Sequence, residues 1–306
     1  MKVLVTGWFS FDCGHATAGD VLARDVVCRW LQEAGLSYDI AAVPPFHGDL
    51  AWTSAVPSEY DAVLFICGPF RPGWPLTEYL EHFSGTRLIG VNVSMLEQLD
   101  RWNPFDLLLE RDSGLVRRPD LAFLSEAPRA PVVGRILVHP QSEYGERQRH
   151  ADADAAVHGL LAARDLAVVP IDTRLDENPV GLRSSAQVEG LIAKMDAVVT
   201  TRLHGLVLAL KNGVPPLAID PIAGGAKVAP QADAVGWPVA FTADHLERNA
   251  LESALDFCLS QEGRELARAC AERACLLARE VRAPLVNGIG AGRATKTWSP
   301  ASAPAK

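Results

Sequence analysis

Short, continuous apolar runs alternate along this chain with longer segments in which apolar side chains recur at helical spacing. The run at 3–5 predicts a strand over residues 2–6. Leu22, Val26, Val27, Trp30 and Leu31 then share one face of a helix over 19–31, with Gly35 as its stop. Further apolar runs predict strands at 38–43, 62–67, 87–93 and 106–109, and a helical pattern lies at 75–83. Strands that alternate with helices form a parallel sheet covered on both faces.

The stretch Ser125-Glu-Ala-Pro-Arg-Ala-Pro-Val-Val-Gly134 interrupts this rhythm and reads as a linker. The cycle then restarts, with strands at 135–139, 166–171, 197–200 and 216–219 and helices at about 150–164, 184–195 and 204–212. Two cycles predict an α/β protein with two Rossmann-like domains, residues 1–128 and 129–290. The second domain closes with two amphipathic helices over 244–283. Residues 291–306 are rich in Ala, Ser, Thr, Pro and Lys and read as a disordered tail. No Gly-x-Gly-x-x-Gly fingerprint is present, so a dinucleotide is not indicated.

Composition narrows the function classes. A chain of 306 residues is long enough for two ordinary domains. Its formal net charge of −8, with no basic stripe, argues against general nucleic-acid binding. No apolar run approaches the roughly 20 residues that span a bilayer. The segment Met1–Gly7 is too short and too soon interrupted for a signal peptide. The six cysteines form no Cys-x-x-Cys pair and no histidine cluster has zinc spacing. These features predict a reduced, cytoplasmic protein that needs no metal and no tightly bound cofactor.

Candidate chemistry concentrates in Ala197-Val-Val-Thr-Thr-Arg-Leu-His-Gly-Leu-Val-Leu-Ala-Leu-Lys-Asn-Gly-Val-Pro215. It reads as a buried strand, a turn and a buried helix that stops at Gly213. Ligands of open α/β sheets bind beyond the carboxyl ends of the strands. A following helix N-terminus adds free N–H groups and a positive dipole end. Arg202 and His204 at that turn point to an anionic substrate, the arginine as a forked clamp and the histidine as a proton shuttle. Lys227 follows a glycine-rich turn, Ile219-Asp-Pro-Ile-Ala-Gly-Gly-Ala226, whose N–H groups would suit an anion, or which Asp220 would cap. In the first domain, Arg111-Asp112 follows a strand and reads either as a brace or as a ligand contact. Asp20 reads as the N-cap of the first helix or as a residue facing the ligand. Arg71 and Trp74, on a loop after a strand, suit a sugar or an anion.

Thr201-Arg-Leu-His-Gly205, with the apolar helix and Gly213-Val-Pro215 behind it, resembles the signature of the polysaccharide pyruvyl transferase family. Other segments fit that family in the same order: Val3-Leu-Val-Thr-Gly-Trp-Phe9 with Gly19-Asp20, then Asp61-Ala-Val-Leu-Phe-Ile-Cys-Gly68. Arg111-Asp112, Asp120-Leu-Ala-Phe123 and Lys227 follow. The resemblance implies a GT-B-like architecture, two Rossmann-like domains facing across a cleft. It implies transfer of a pyruvyl ketal from phosphoenolpyruvate to a sugar or glycan precursor, as in exopolysaccharide biosynthesis. His204 and Arg202 are then catalytic, and Lys227, Gly205, Asp20, Arg111 and Arg71 bind substrate. Many relatives carry an arginine soon after the first strand of the second domain. Here that strand runs into His139-Pro-Gln-Ser142, with Arg147 and Arg149 the next arginines. Two other readings fit the same fold: a glycosyltransferase using a nucleotide sugar, and a binding protein that has lost the chemistry.

Overall fold

Each apolar run of the first half becomes a strand of one parallel sheet. The computed structural model describes residues 1–112 and 116–290. Its strands here are β1 (Lys2–Gly7), β2 (Ser37–Ile40), β3 (Ala62–Ile66), β4 (Pro69–Phe70), β5 (Leu88–Val91), β6 (Ser94–Met95) and β7 (Leu107–Leu109). The main sheet has the order β2-β1-β3-β5-β7, and the short β4 and β6 pair separately. Helices α1 (Ala18–Glu33) and α2 (Leu76–His82) belong to the same unit, Met1–Pro128. Two apolar clusters fill this unit, one around Phe65, Phe70, Tyr79 and Phe83, the other around Val5, Ala23, Val27 and Ile66. Fully burying such a side chain contributes roughly 1.5–3 kcal/mol relative to leaving it in water.

The N-cap of α1 is Thr17, not Asp20. Asp20 is the third helical residue, and its carboxylate accepts the Thr17 N–H at 2.6 Å and the Thr17 hydroxyl at 2.8 Å. A carboxylate in the first turn also meets the positive end of the helix.

A second unit, from Arg129 on, repeats the plan. Its strands are β8 (Val132–Ile136), β9 (Ala167–Pro170), β10 (Ala197–Thr200), β11 (Pro216–Asp220) and β12 (Ala240–Thr242), in the order β12-β11-β10-β8-β9. The helices are α3 (His150–Ala162), α4 (Ser185–Ile192), α5 (Leu203–Lys211), α6 (Val228–Val235), α7 (Arg248–Leu259), α8 (Gln261–Arg279) and α9 (Arg282–Gly290). Counting main strands by chain position, both sheets read 2-1-3-4-5. Both are therefore Rossmann-like, with the strand order reversing between the first and third strands. That reversal opens a crevice at the carboxyl ends.

Several boundaries move. The segment read as a linker supplies the start of β8, because Val132 to Arg135 pair with β9 and Val133 to Ile136 with β10. Gly134 belongs to that ladder: a Cβ there would stand 3.1 Å from both Ile171 Cδ1 and Met195 Cγ. The 244–283 region opens with α7 and α8, and α9 begins at Arg282. Helix α5 ends as expected, with Gly213 at φ +67°. The predicted tail, 291–306, lies outside the described residues.

Candidate functional site

Between β10 and α5 the backbone turns within three residues, and two buried threonines hold that turn. Thr200 Oγ1 accepts the Arg202 N–H at 3.0 Å and donates to the Arg202 carbonyl at 3.2 Å. Thr201 Oγ1 accepts the Val138 N–H at 2.9 Å, which ties the loop after β8 to the turn. Gly205, the third residue of α5, is buried against the sheet. A Cβ there would overlap Thr200 Oγ1 and lie 2.9 Å from Thr200 Cβ. Gly205 therefore lets α5 approach the sheet; it supports the site by packing and does not line its cavity. Leu203 packs against the apolar core of the unit. Arg202 and His204 are left to project.

Both line a cavity of about 170 Å³ at the carboxyl edge of the sheet. Its walls are Val138, Gln141 and Tyr144 after β8, Thr201 to His204 after β10, and Asp220 to Ile222 with Ala226 to Val228 after β11. The strand-order reversal between β8 and β10 is where an open sheet offers its binding crevice. Arg202 is the N-cap of α5 and gives no side-chain cap. The N–H groups of Leu203 and His204 have no acceptor among the described residues. A helix N-terminus in that condition favours an anion.

Arg202 is not idle. Its Nη1 donates to Asp172 Oδ1 at 3.0 Å, while Nε and Nη2 have no partner among the described residues. Asp172 follows β9, and its side chain is 9% exposed. Oδ1 also accepts the Arg174 N–H at 2.8 Å, and Oδ2 lies 3.1 Å from His139 Nε2. Burial opposes ionisation, but the Arg174 N–H, His139 and the Arg202 charge outweigh it and hold the Asp172 carboxyl below its usual range. His204 is exposed and its imidazole has no hydrogen-bond partner among the described residues.

The glycine-rich turn after β11 differs from the anion cradle that its sequence suggested. Asp220 Oδ2 accepts the N–H groups of Ala226, Lys227, Val228 and Ala229 at 2.8, 3.1, 2.9 and 3.2 Å. A buried carboxylate of the chain itself fills that helix N-terminus. Lys227 keeps its side chain on the cavity wall, its Nζ 3.9 Å from Glu143 Oε1 and 5.3 Å from the centre of the Tyr144 ring. The arginines after β8 serve the loops. Arg147 donates to the carbonyls of Ala223 and Gly225, and Arg149 to those of Glu146 and Gln148. Sequence reasoning missed the His139–Asp172 pair altogether; the only signal was a histidine where relatives carry a cation.

The other predicted residues meet in the first unit. Asp20, Arg71 and Arg111 line one cavity of about 520 Å³, together with Trp8, His15 and Trp74. Arg111 braces the wall: its Nε, Nη1 and Nη2 donate to Asp112 at 3.1 Å, Asp120 at 2.6 Å and Ser94 at 2.8 Å. Asp20 is engaged in the α1 cap. Arg71 is exposed and has no partner among the described residues, and Trp74 is 71% exposed. Trp8 is held in place by its indole N–H, which donates to the Pro69 carbonyl at 3.0 Å. Among the described residues no group of three His, Cys, Asp or Glu is placed to hold a metal, and no helix is long and apolar enough to cross a membrane.

The profile of the polysaccharide pyruvyl transferase family matches residues 115–221. That family is one of transferases, and the matched span contains His139, Asp172, Arg202, His204, Gly205 and Asp220. The resemblance seen in the sequence thus stands over this span. No curated protein matches the chain at a significant level. Similar solved structures include the calicheamicin glycosyltransferase CalG4, 14% identical, covering 96% of this chain and 99% of that chain at a TM-score of 0.35. The UDP-GlcNAc 2-epimerase of Methanocaldococcus jannaschii is 11% identical, covering 91% of this chain and 100% of that chain at a TM-score of 0.31. For the spinosyn rhamnosyltransferase SpnG the values are 12%, 92%, 100% and 0.33.

Proposed function

We propose that the protein is a pyruvyl transferase that moves the three-carbon unit of phosphoenolpyruvate onto a sugar or glycan precursor as a cyclic ketal. One observation carries this reading. Arg202 and His204 lie within the span matched by the pyruvyl transferase family and together line a cavity at the strand-order reversal, beside the open N-terminus of α5.

The chemistry asks for what these residues supply. Phosphoenolpyruvate brings a phosphate and a carboxylate. Arg202 is fixed by Asp172 through one nitrogen and has the rest of its fork for one of those anions. Two backbone N–H groups of α5 add donors and a positive dipole end. Lys227 adds a point charge on the cavity wall. His204 has an imidazole with no hydrogen-bond partner among the described residues and supplies a group for proton transfer. Gly205 keeps α5 close enough to the sheet for this arrangement.

The cavity of the first unit suits the sugar acceptor. Trp8 and Trp74 offer aromatic faces, Arg71 a fork with no partner among the described residues, and Asp20 a carboxylate, with Arg111 holding the wall. The six cysteines are unpaired, which accords with a reducing, cytoplasmic setting and with glycan precursors made there.

The test is direct. Purified protein is titrated calorimetrically with phosphoenolpyruvate and, separately, with several nucleotide sugars. It is then incubated with phosphoenolpyruvate and a panel of hexose and hexosamine glycosides while inorganic phosphate is measured. Saturable phosphoenolpyruvate binding and sugar-dependent phosphate release are expected. Binding of a nucleotide sugar without phosphoenolpyruvate binding refutes the reading in favour of glycosyl transfer.

A further inference from the structure

Two imidazoles, not one, stand beside the turn that carries Arg202. His139 directly follows Val138 of the cavity wall, and its Nε2 is 3.1 Å from Asp172 Oδ2. The other oxygen of Asp172 holds Arg202 at 3.0 Å, so one carboxylate links the histidine to the arginine. The Asp172 side chain is 9% exposed, that of His139 54%. An ionised carboxylate can only accept, so in the neutral imidazole Nε2 carries the hydrogen and Nδ1 keeps its lone pair. A carboxylate placed in this way orients the ring and stabilises the imidazolium that forms when the free nitrogen takes a proton. His204 has no such partner among the described residues.

We infer that His139 is a second proton-transfer group of this site, with Asp172 as its positioning residue. The inference rests on the pyruvyl-transfer reading and deepens it. In the first step a sugar hydroxyl oxygen bonds to C2 of phosphoenolpyruvate, and its proton leaves to His139 Nδ1. The C2=C3 electron pair takes a proton at C3 from His204. In the second step the bond from C2 to the phosphate oxygen breaks, and the phosphate leaves with the proton held by His139. The second hydroxyl oxygen bonds to C2 and gives its proton to His204. One hydroxyl proton thus replaces the one that His204 delivered to C3, and the other leaves on inorganic phosphate. Both imidazoles return to their starting states. A single unbraced histidine would have to serve two exchanges that occur at different oxygens.

The experiment uses the full chain and measures phosphate release from phosphoenolpyruvate in the presence of a sugar that wild type accepts. His139→Asn and His139→Ala are compared with wild type for kcat, for the KM of phosphoenolpyruvate and for melting temperature. The expected result is a kcat lower by about a hundredfold or more, with the KM within twofold and melting unchanged. Added imidazole should restore part of the turnover of His139→Ala. A kcat within threefold of wild type overturns the inference and leaves pyruvyl transfer standing. Loss of activity with a lowered melting temperature and no rescue by imidazole also overturns it, because His139 is then only a structural part. Wild type that neither binds phosphoenolpyruvate nor releases phosphate overturns the pyruvyl-transfer reading itself, and this inference falls with it.

Discussion

Asp172 Oδ1 lies 3.0 Å from Arg202 Nη1, and these two side chains come from the ends of different strands of one sheet. A buried carboxylate therefore sets one edge of the guanidinium before any substrate arrives, and the other edge has no partner among the described residues. On the proposed pyruvyl-transfer reading, two jobs, being held and holding an anion, fall on one planar fork. That division makes the identity of residue 202 testable.

Replacing Arg202 by lysine keeps the charge but loses the fork. A single ammonium reaches Asp172 or the donor with poorer geometry for both. Loss of a charge-assisted bond costs on the order of 1.5–3 kcal/mol. Arg202→Lys should thus weaken phosphoenolpyruvate binding by roughly ten- to a hundredfold in calorimetry. Unchanged affinity in a folded variant would remove Arg202 from the donor site.

His204 is exposed and has no internal hydrogen bond among the described residues. His204→Ala should leave the melting temperature within a degree or two. A positioned proton-transfer group contributes about a hundred- to ten-thousand-fold, so turnover should fall by that factor. His204→Asn should behave the same way, since an amide cannot take and return a proton near pH 7. Full turnover by the asparagine variant would reduce His204 to a hydrogen-bonding part.

Gly205 gives a stability prediction that is independent of any ligand. A Cβ would overlap Thr200 Oγ1 and crowd Ile136 Cγ2 at 3.1 Å. Thr200 is fully buried and its hydroxyl is committed to the Arg202 backbone, so the neighbour cannot swing away. Gly205→Ala should destabilise the protein by about 1–3 kcal/mol, the usual cost of overpacking. Chemical denaturation reads this directly. A variant as stable as wild type would show that α5 slides without penalty.

Asp172 makes a pH-dependent contribution with a definite sign. Its carboxyl is held below the usual carboxylate range in the folded protein. A depressed carboxyl pKa adds stability that is present above the unfolded value and lost as pH falls through the folded value. Asp172→Asn should therefore be less stable than wild type at pH 7, and the gap should shrink as pH drops below about 4. Urea midpoints at several pH values measure it. A gap that stays constant into acid would mean that the charge of Asp172 contributes nothing.

Much of the fold was legible because it is written in local pattern. A fully buried strand such as Ala62–Ile66 must be a continuous apolar run. A covering helix must repeat its apolar face about every 3.6 residues, and Gly213 at φ +67° marks a stop that few other residues accept. The same logic exposed Arg202 and His204, since two polar side chains at a strand-to-helix turn have no packing reason to interrupt it. The linker reading of 125–134 was mistaken in part because Pro131 and Gly134 resemble loop residues. The ladder from Val132 to Ile136 shows that a glycine fits a strand where the side chains of Ile171, Met195 and Val198 crowd it.

By itself, then, the sequence determined the strand and helix cycle and the turn that carries Arg202 and His204, but not the His139–Asp172 pair. Which of the candidate groups is free was decided only by the tertiary structure. Asp220 takes four N–H groups that an anion would otherwise have used, and Arg111 spends its fork on Asp112, Asp120 and Ser94. Asp172 reaches Arg202 across 30 residues of chain and His139 across 33. Hydrogen bonds of that separation depend on strand order, which is set by the packing of whole sheets, so no spacing along the chain encodes them.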